Sequence, residues 1–163
     1  MKRLILTIAL TLISLSLCTS IYAKTEETES TMINHLMTYD GTEGVEAVDL
    51  KGFMLNFAKP ALKDTPMKNV TDNIRNIFVF SFSETRTEER KKFRNGIAPV
   101  LAEYEKVLEK KVDKKESTIY LKRKDDALIS EMVVYSMDDK AIVLVVIRGD
   151  IPVSGIEDTP ASE

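Results

Sequence analysis

Few residues in this sequence could do chemistry, and each has a simpler explanation. His35 is the one histidine. An imidazole can hold a metal or carry a proton near neutral pH, but either role needs companions at ligand spacing. Three and four positions on stand Thr38 and Tyr39, which are poor ligands, so His35 reads as an ordinary surface or boundary histidine. Asp125-Asp126 and Asp138-Asp139 could be proposed as carboxylate dyads or a cation site. Adjacent side chains on a strand point to opposite faces, and a calcium loop needs alternating oxygen ligands closed by a glutamate, which neither pair has. Both pairs read as turns, where aspartate bonds nearby backbone amides. Arg148-Gly149-Asp150 spells an integrin-binding tripeptide, but a three-residue match carries little weight. It directly follows an apolar run, so Gly-Asp is expected to end strand pairing there.

The basic cluster Arg86, Arg90, Lys91, Lys92 and Arg94 is interleaved with Glu88 and Glu89. It reads as a solvated helix face rather than an anion or nucleic-acid groove. Asn69-Val70-Thr71 is a weak glycosylation match. There is no Gly-rich phosphate loop, no Gly-x-Ser-x-Gly and no His-Glu-x-x-His. No catalytic, cofactor-binding or metal-binding residue is therefore assigned, and no cofactor is expected. Asp40, Glu43 and Asp49 cluster around the first expected strand. They leave one enzymatic alternative open, a carboxylate-dependent hydrolase, which would need the three to converge in a pocket.

The elements that must position these residues begin after a leader. Met1-Lys2-Arg3 is basic, Leu4 to Leu17 is almost unbroken apolar sequence, and a polar stretch ends at Ile21-Tyr22-Ala23. That is the layout of a secretory signal peptide over residues 1–23, with the mature chain starting at Lys24. The apolar run is too short for a spanning helix, which needs about 20 residues, so no stable membrane span is expected after cleavage. The protein should be extracytoplasmic, periplasmic or secreted. Lipid attachment at Cys18 is the minor alternative, because Leu17 stands where lipoprotein processing wants a small residue. The mature chain of 140 residues would hold no cysteine, hence no disulfide, thiol nucleophile or thiolate metal site. Losing Lys2 and Arg3 takes the formal charge from −3 to −5. This mild acidity argues against nucleic acid and anionic membrane surfaces as partners.

Residues 24–29 are polar and expected to be disordered. A helix is expected from Ser30, with Met32, Ile33, Leu36 and Met37 on one stripe, Ser30 or Thr31 as cap and Gly41 as stop. Val45 to Leu50 alternates as a strand. Gly52 to Lys59 reads as a helix with Phe53, Met54 and Phe57 on one face, closed by Pro60. Lys63 to Asn69 reads as a loop. Ile74 to Ser83 is apolar on both faces, as in an interior strand. Thr85-Arg86-Thr87-Glu88 is a capping-box sequence. It should open a long helix with Phe93, Ile97, Leu101, Tyr104 and Leu108 buried, kinked near Asn95 by Gly96 and Pro99. Lys106 to Val112 is ambiguous between helix and strand. Ser117 to Lys124, Leu128 to Ser136 and Ala141 to Arg148 should form a meander joined by the two aspartate turns. Val143 and Val145 are expected in the core of an interior strand. One α+β domain over residues 30–151 results, a two-layer sandwich with an antiparallel or mixed sheet and the helices on one face. Residues 152–163 are expected to be a disordered tail.

Four segments in this order resemble a known family: Tyr39-Asp40-Gly41-Thr42-Glu43-Gly44-Val45, Ile77-Phe78-Val79-Phe80, Lys91-Lys92-Phe93 running to Tyr104-Glu105, and Ile142 to Gly149-Asp150-Ile151. The chain is similar to domain of unknown function 4252, small exported proteins seen mostly in Bacteroidetes-type bacteria. The likeness covers about residues 30–151. It implies an extracytoplasmic α+β domain and no activity, so no residue roles are carried over. Gly96 and Pro99 depart from the uninterrupted helix the family implies. The favoured reading is an exported, non-catalytic cell-envelope protein that binds an unidentified protein or small-molecule partner.

Overall fold

A computed structural model of the chain describes residues 30–62, 70–83 and 86–154. The expected leader, the segment 24–29, the loop 63–69, Thr85 and the end of the expected tail lie outside these residues. The elements are α1 (Thr31–Met37), β1 (Val45–Lys51), α2 (Gly52–Leu62), a 3₁₀ turn (Thr71–Asn73), β2 (Ile74–Phe82), α3 (Thr87–Leu101), β3 (Glu105–Val112), β4 (Lys115–Arg123), β5 (Leu128–Met137) and β6 (Ile142–Pro152). The six strands form one antiparallel sheet in the order β1-β2-β6-β5-β4-β3. The domain is α+β, as the order of elements predicts, with the sheet as its larger part.

Each strand of the centre is apolar on both sides, so both sheet faces need cover. On the first face Phe78, Phe80 and Phe82 of β2 join Ile142, Leu144 and Val146 of β6, and Val133 and Tyr135 of β5. Met32 and Leu36 of α1 and Phe93 and Ile97 of α3 close over them. Phe93 stacks on Phe80 and Phe82, with ring centroids 5.5 and 5.2 Å apart. On the second face Ile77, Ile147, Met132, Leu121, Ile129 and Ile151 meet Leu55 of α2 and Val70. All three helices were expected on one face; α2 lies on the other. The reason is visible in β2, where Ile77 and Val79 alternate with the phenylalanines and need a lid of their own.

This second face is the less covered one. Val143 and Val145, expected in the core, are half-buried, whereas Ile142, Leu144 and Val146 are fully buried. The two edge strands are solvated and charged, β3 carrying Lys106, Glu109, Lys110 and Lys111 and β1 carrying Glu46, Asp49 and Lys51. Charged edges discourage pairing with a second sheet.

Ser30 caps α1 as expected, accepting a bond from the Ile33 amide at 3.1 Å. Several other boundaries differ from expectation. Pro60 lies inside α2 rather than ending it. A proline removes one amide bond, and Asn56, whose carbonyl is freed, is exposed where water can satisfy it. The N-cap of α3 is Arg86, with no side-chain capping bond, so the expected capping box does not set this end. The helix stops at Leu101. Tyr104 is buried from the turn that follows, and Leu108 is exposed on the edge strand β3. The apparent buried stripe through both residues is a helical period continued past the helix. Gly96 has a packing reason: a Cβ there would sit 2.7 Å from the Tyr39 hydroxyl. Gly149 does not end strand pairing, since β6 runs on to Pro152. A Cβ at Gly149 would lie 2.0 Å from the Asn73 carbonyl oxygen, so only glycine lets the strand and the 3₁₀ turn meet. No helix among the described residues is long and apolar enough to cross a membrane.

Candidate functional site

An open concave feature lies against α3. Burial of Phe93 and Ile97 fixes the rotation of the helix. A second stripe, Thr87, Arg90, Lys91, Arg94, Asn95 and Ala98, then faces the β5–β6 turn and the tip of the β3–β4 hairpin. Between them runs an open groove of about 850 Å³, completed by Lys114, Met137, Asp138 and Asp139. Glu88 and Glu89, which alternate with the basic residues in sequence, do not line it.

The walls are tied together. The Arg90 guanidinium donates to the backbone carbonyls of both Asp138 and Asp139. Lys114 pairs with the Asp139 carboxylate at 2.6 Å, which raises the lysine pKa. Asp138 accepts bonds from the Ala141 and Lys140 amides at 2.9 and 2.7 Å. Those bonds hold its carboxyl below the usual aspartate value. Behind the turn stands Tyr135, whose hydroxyl lies 3.7 Å from the Met137 sulfur. Burial pushes its phenol pKa up, and the nearby Arg94 charge opposes that shift. Arg90 and Lys114 are thus committed to the scaffold. Lys91 and Arg94 are exposed, and no ion pair engages either of them among the described residues. A guanidinium fork beside an ammonium and the Asn95 amide is a set of donors with no acceptor bound to them, which suits a carboxylate, sulfate or phosphate.

A second polar cluster is closed. Glu131 is 4 % exposed. It accepts a bond from the Tyr104 hydroxyl at 2.5 Å and pairs with Arg148 at 3.3 Å. Burial, then the Glu131 bond and charge, drive the Tyr104 pKa far above its usual value. Register places Lys122, Glu131, Arg148, Asn76 and Lys51 in one row across five strands. Asn76 of that row donates to Asp49, two residues before Lys51 on β1. Glu131 does not line the groove beside α3, and its partners are fixed, so this cluster acts as a buried clasp holding the chain after α3 to the sheet.

The structure disperses the candidates read from the sequence. The His35 ring packs edge-on to Tyr39, its Nε2 buried and without a hydrogen-bond partner. Asp125 and Asp138 are turn residues as expected, each bonding two amides further along its turn. Arg148-Gly149-Asp150 is absorbed by the sheet: Arg148 faces Glu131, Gly149 is buried, and Asp150 pairs with Lys124. Val70 and Thr71 of the glycosylation match are buried. Asp40 bonds the Gly41 amide, and Asp49 is held by Lys51 and Asn76. Neither they nor Glu43 line the groove. No cluster of three metal-ligating side chains occurs among the described residues.

The basic run on α3 was expected to be a solvated face, yet three of its members line the groove. The missed signal is its spacing: 87, 90, 91, 94, 95 and 98 share one helical face, free of the intervening acids.

Fold and groove together define a small antiparallel α+β domain with helices on both sheet faces and a cationic groove on one. Residues 39–159 match the model of a domain of unknown function, DUF4252, and the chain belongs to that family. No curated protein and no solved structure matches the chain.

Proposed function

We propose that this is an exported, non-catalytic protein of the cell envelope that binds an anionic group in the groove beside α3. The observation that carries the reading is Lys91 and Arg94, two cations exposed on a groove wall whose other charges are already spent on the scaffold. The leader-like layout of residues 1–23 supports export. The absence of an assembled nucleophile and base in the groove favours binding over turnover. A carboxylate, sulfate or phosphate would bridge the Arg94 fork and Lys91, with Asn95 adding a neutral donor.

Citrate and tripolyphosphate are suitable probes. In amide NMR titrations both should shift Arg94, Asn95 and the 137–139 turn saturably, and weaken as salt rises. Lys91→Ala/Arg94→Ala should abolish the shifts without changing the melting temperature, because both side chains are exposed. Shifts that survive the double substitution, or that fall elsewhere, would refute the groove as the site.

A further inference from the structure

The helix α2 presents its apolar residues the wrong way round for a core element. Among its described side chains Leu55 is the buried one, while Phe53, Met54 and Phe57 are 74, 58 and 70 % exposed. The two rings stand edge to face with centroids 4.5 Å apart, a preformed pair at i,i+4 spacing. α2 carries no acid, and Lys51 and Lys59 precede and follow the two rings in sequence. Of these lysines Lys51 is partly neutralised by Asp49 at 2.9 Å. Val48, on the same side of the sheet as Leu50 and α2, is another half-exposed apolar residue.

Large aromatic side chains do not stay in water on a rigid helix without cost, so something covers them. A second copy of the chain is a poor occupant. Two rings of this type and a methionine offer about 400 Å² at this exposure, against roughly 800 Å² per partner in a stable interface. A lipid surface needs less. An interfacial helix buries its apolar side only about 5–10 Å into the boundary between headgroups and acyl chains, with lysines beside it at phosphate level. We infer that Phe53, Met54 and Phe57 insert into a lipid bilayer surface, with Lys51 and Lys59 at the headgroups. This is peripheral attachment by one amphipathic helix, and it does not depend on what the groove binds. The mildly acidic net charge does not oppose it, because apolar insertion supplies the attraction and the residues of α2 are locally basic.

The chain has no tryptophan, so Phe57→Trp installs a lone fluorescent reporter. The exported protein is purified from the soluble fraction and mixed with vesicles of phosphatidylethanolamine and phosphatidylglycerol. Emission from the Phe57→Trp protein should shift to the blue and be quenched by brominated acyl chains. The same reporter placed by Val112→Trp, on the far edge strand, should not respond. Phe53→Ser/Phe57→Ser should lower vesicle partitioning roughly a hundredfold or more, since each ring contributes tenfold or more, while melting as wild type. Three results would overturn the inference: no blue shift, equal response at both reporter positions, or a shift that depends on protein concentration without lipid, which would mean self-association.

Discussion

Replacing Arg148 by methionine should destabilise the domain far more than replacing both Arg148 and Glu131. In the native fold the Glu131 side chain is 5 % exposed and that of Arg148 16 %. Removing the arginine leaves a carboxylate buried beside one neutral hydroxyl, that of Tyr104. An uncompensated buried charge costs about 3–5 kcal/mol, a large part of the ~5–15 kcal/mol that holds a domain together. With unfolding entropy near 2.1 cal/mol/K per residue over a domain of about 125 residues, the melting temperature should fall by roughly 11–19 °C. Glu131→Met/Arg148→Met removes both charges and keeps the volume, so the buried carboxylate is gone and the Tyr104 hydroxyl loses its acceptor, at about 1–3 kcal/mol. Adding Tyr104→Phe should bring the melting point back toward wild type. Thermal and urea unfolding followed by circular dichroism give all four values. If Arg148→Met alone melts within about two degrees of wild type, or if the double variant is as damaged as the single, Glu131 is not the buried charge this geometry makes it.

Leu144→Ala should cost about 2–5 kcal/mol, because Leu144 is fully buried beneath the helices; Val145→Ala, half-buried on the less covered face, should cost about 1 kcal/mol, and equal urea midpoints would reverse the assignment of faces. Tyr104 holds its proton more tightly folded than unfolded, so its contribution is intact below pH ~10 and is lost as pH rises above that value. Tyr104→Phe should therefore flatten the alkaline fall in stability, leaving the part due to Tyr135, and an unchanged slope in pH-dependent melts would refute the burial of the Tyr104 phenol against Glu131.

What could be read from the sequence was whatever depends on near neighbours. Phe78, Phe80 and Phe82 announce their strand and its buried face through period two. Asp125 and Asp138 announce turns because each needs only the amides two and three residues on. What failed depends on pairings far apart in the chain. Strands apolar on both sides do not say which face a helix will cover, so α2 could not be placed. Glu131 meets Arg148 only through the β5–β6 register, which includes an irregularity between Ile129 and Glu131. The groove needs α3, Lys114 and Asp139 together, and no local pattern brings a helix to the ends of two hairpins.

The position of α2 gives the two proposals a common geometry. α3 and its groove belong to the sheet face that carries Phe80 and Leu144, and α2 belongs to the face that carries Ile77 and Ile147. A domain attached through Phe53 and Phe57 would therefore turn Lys91 and Arg94 away from the lipid. The groove would then meet its anion from the aqueous side rather than compete for headgroup phosphates. Opposite faces also make the two functions separable. Exposed side chains this far apart in the fold share no partner, so their effects should add. Lys91→Ala/Arg94→Ala should leave vesicle partitioning unchanged, and Phe53→Ser/Phe57→Ser should leave the citrate titration unchanged. Loss of both properties in either variant would mean that the groove cations themselves bind the headgroups, and that one lipid site, not two, explains the surface.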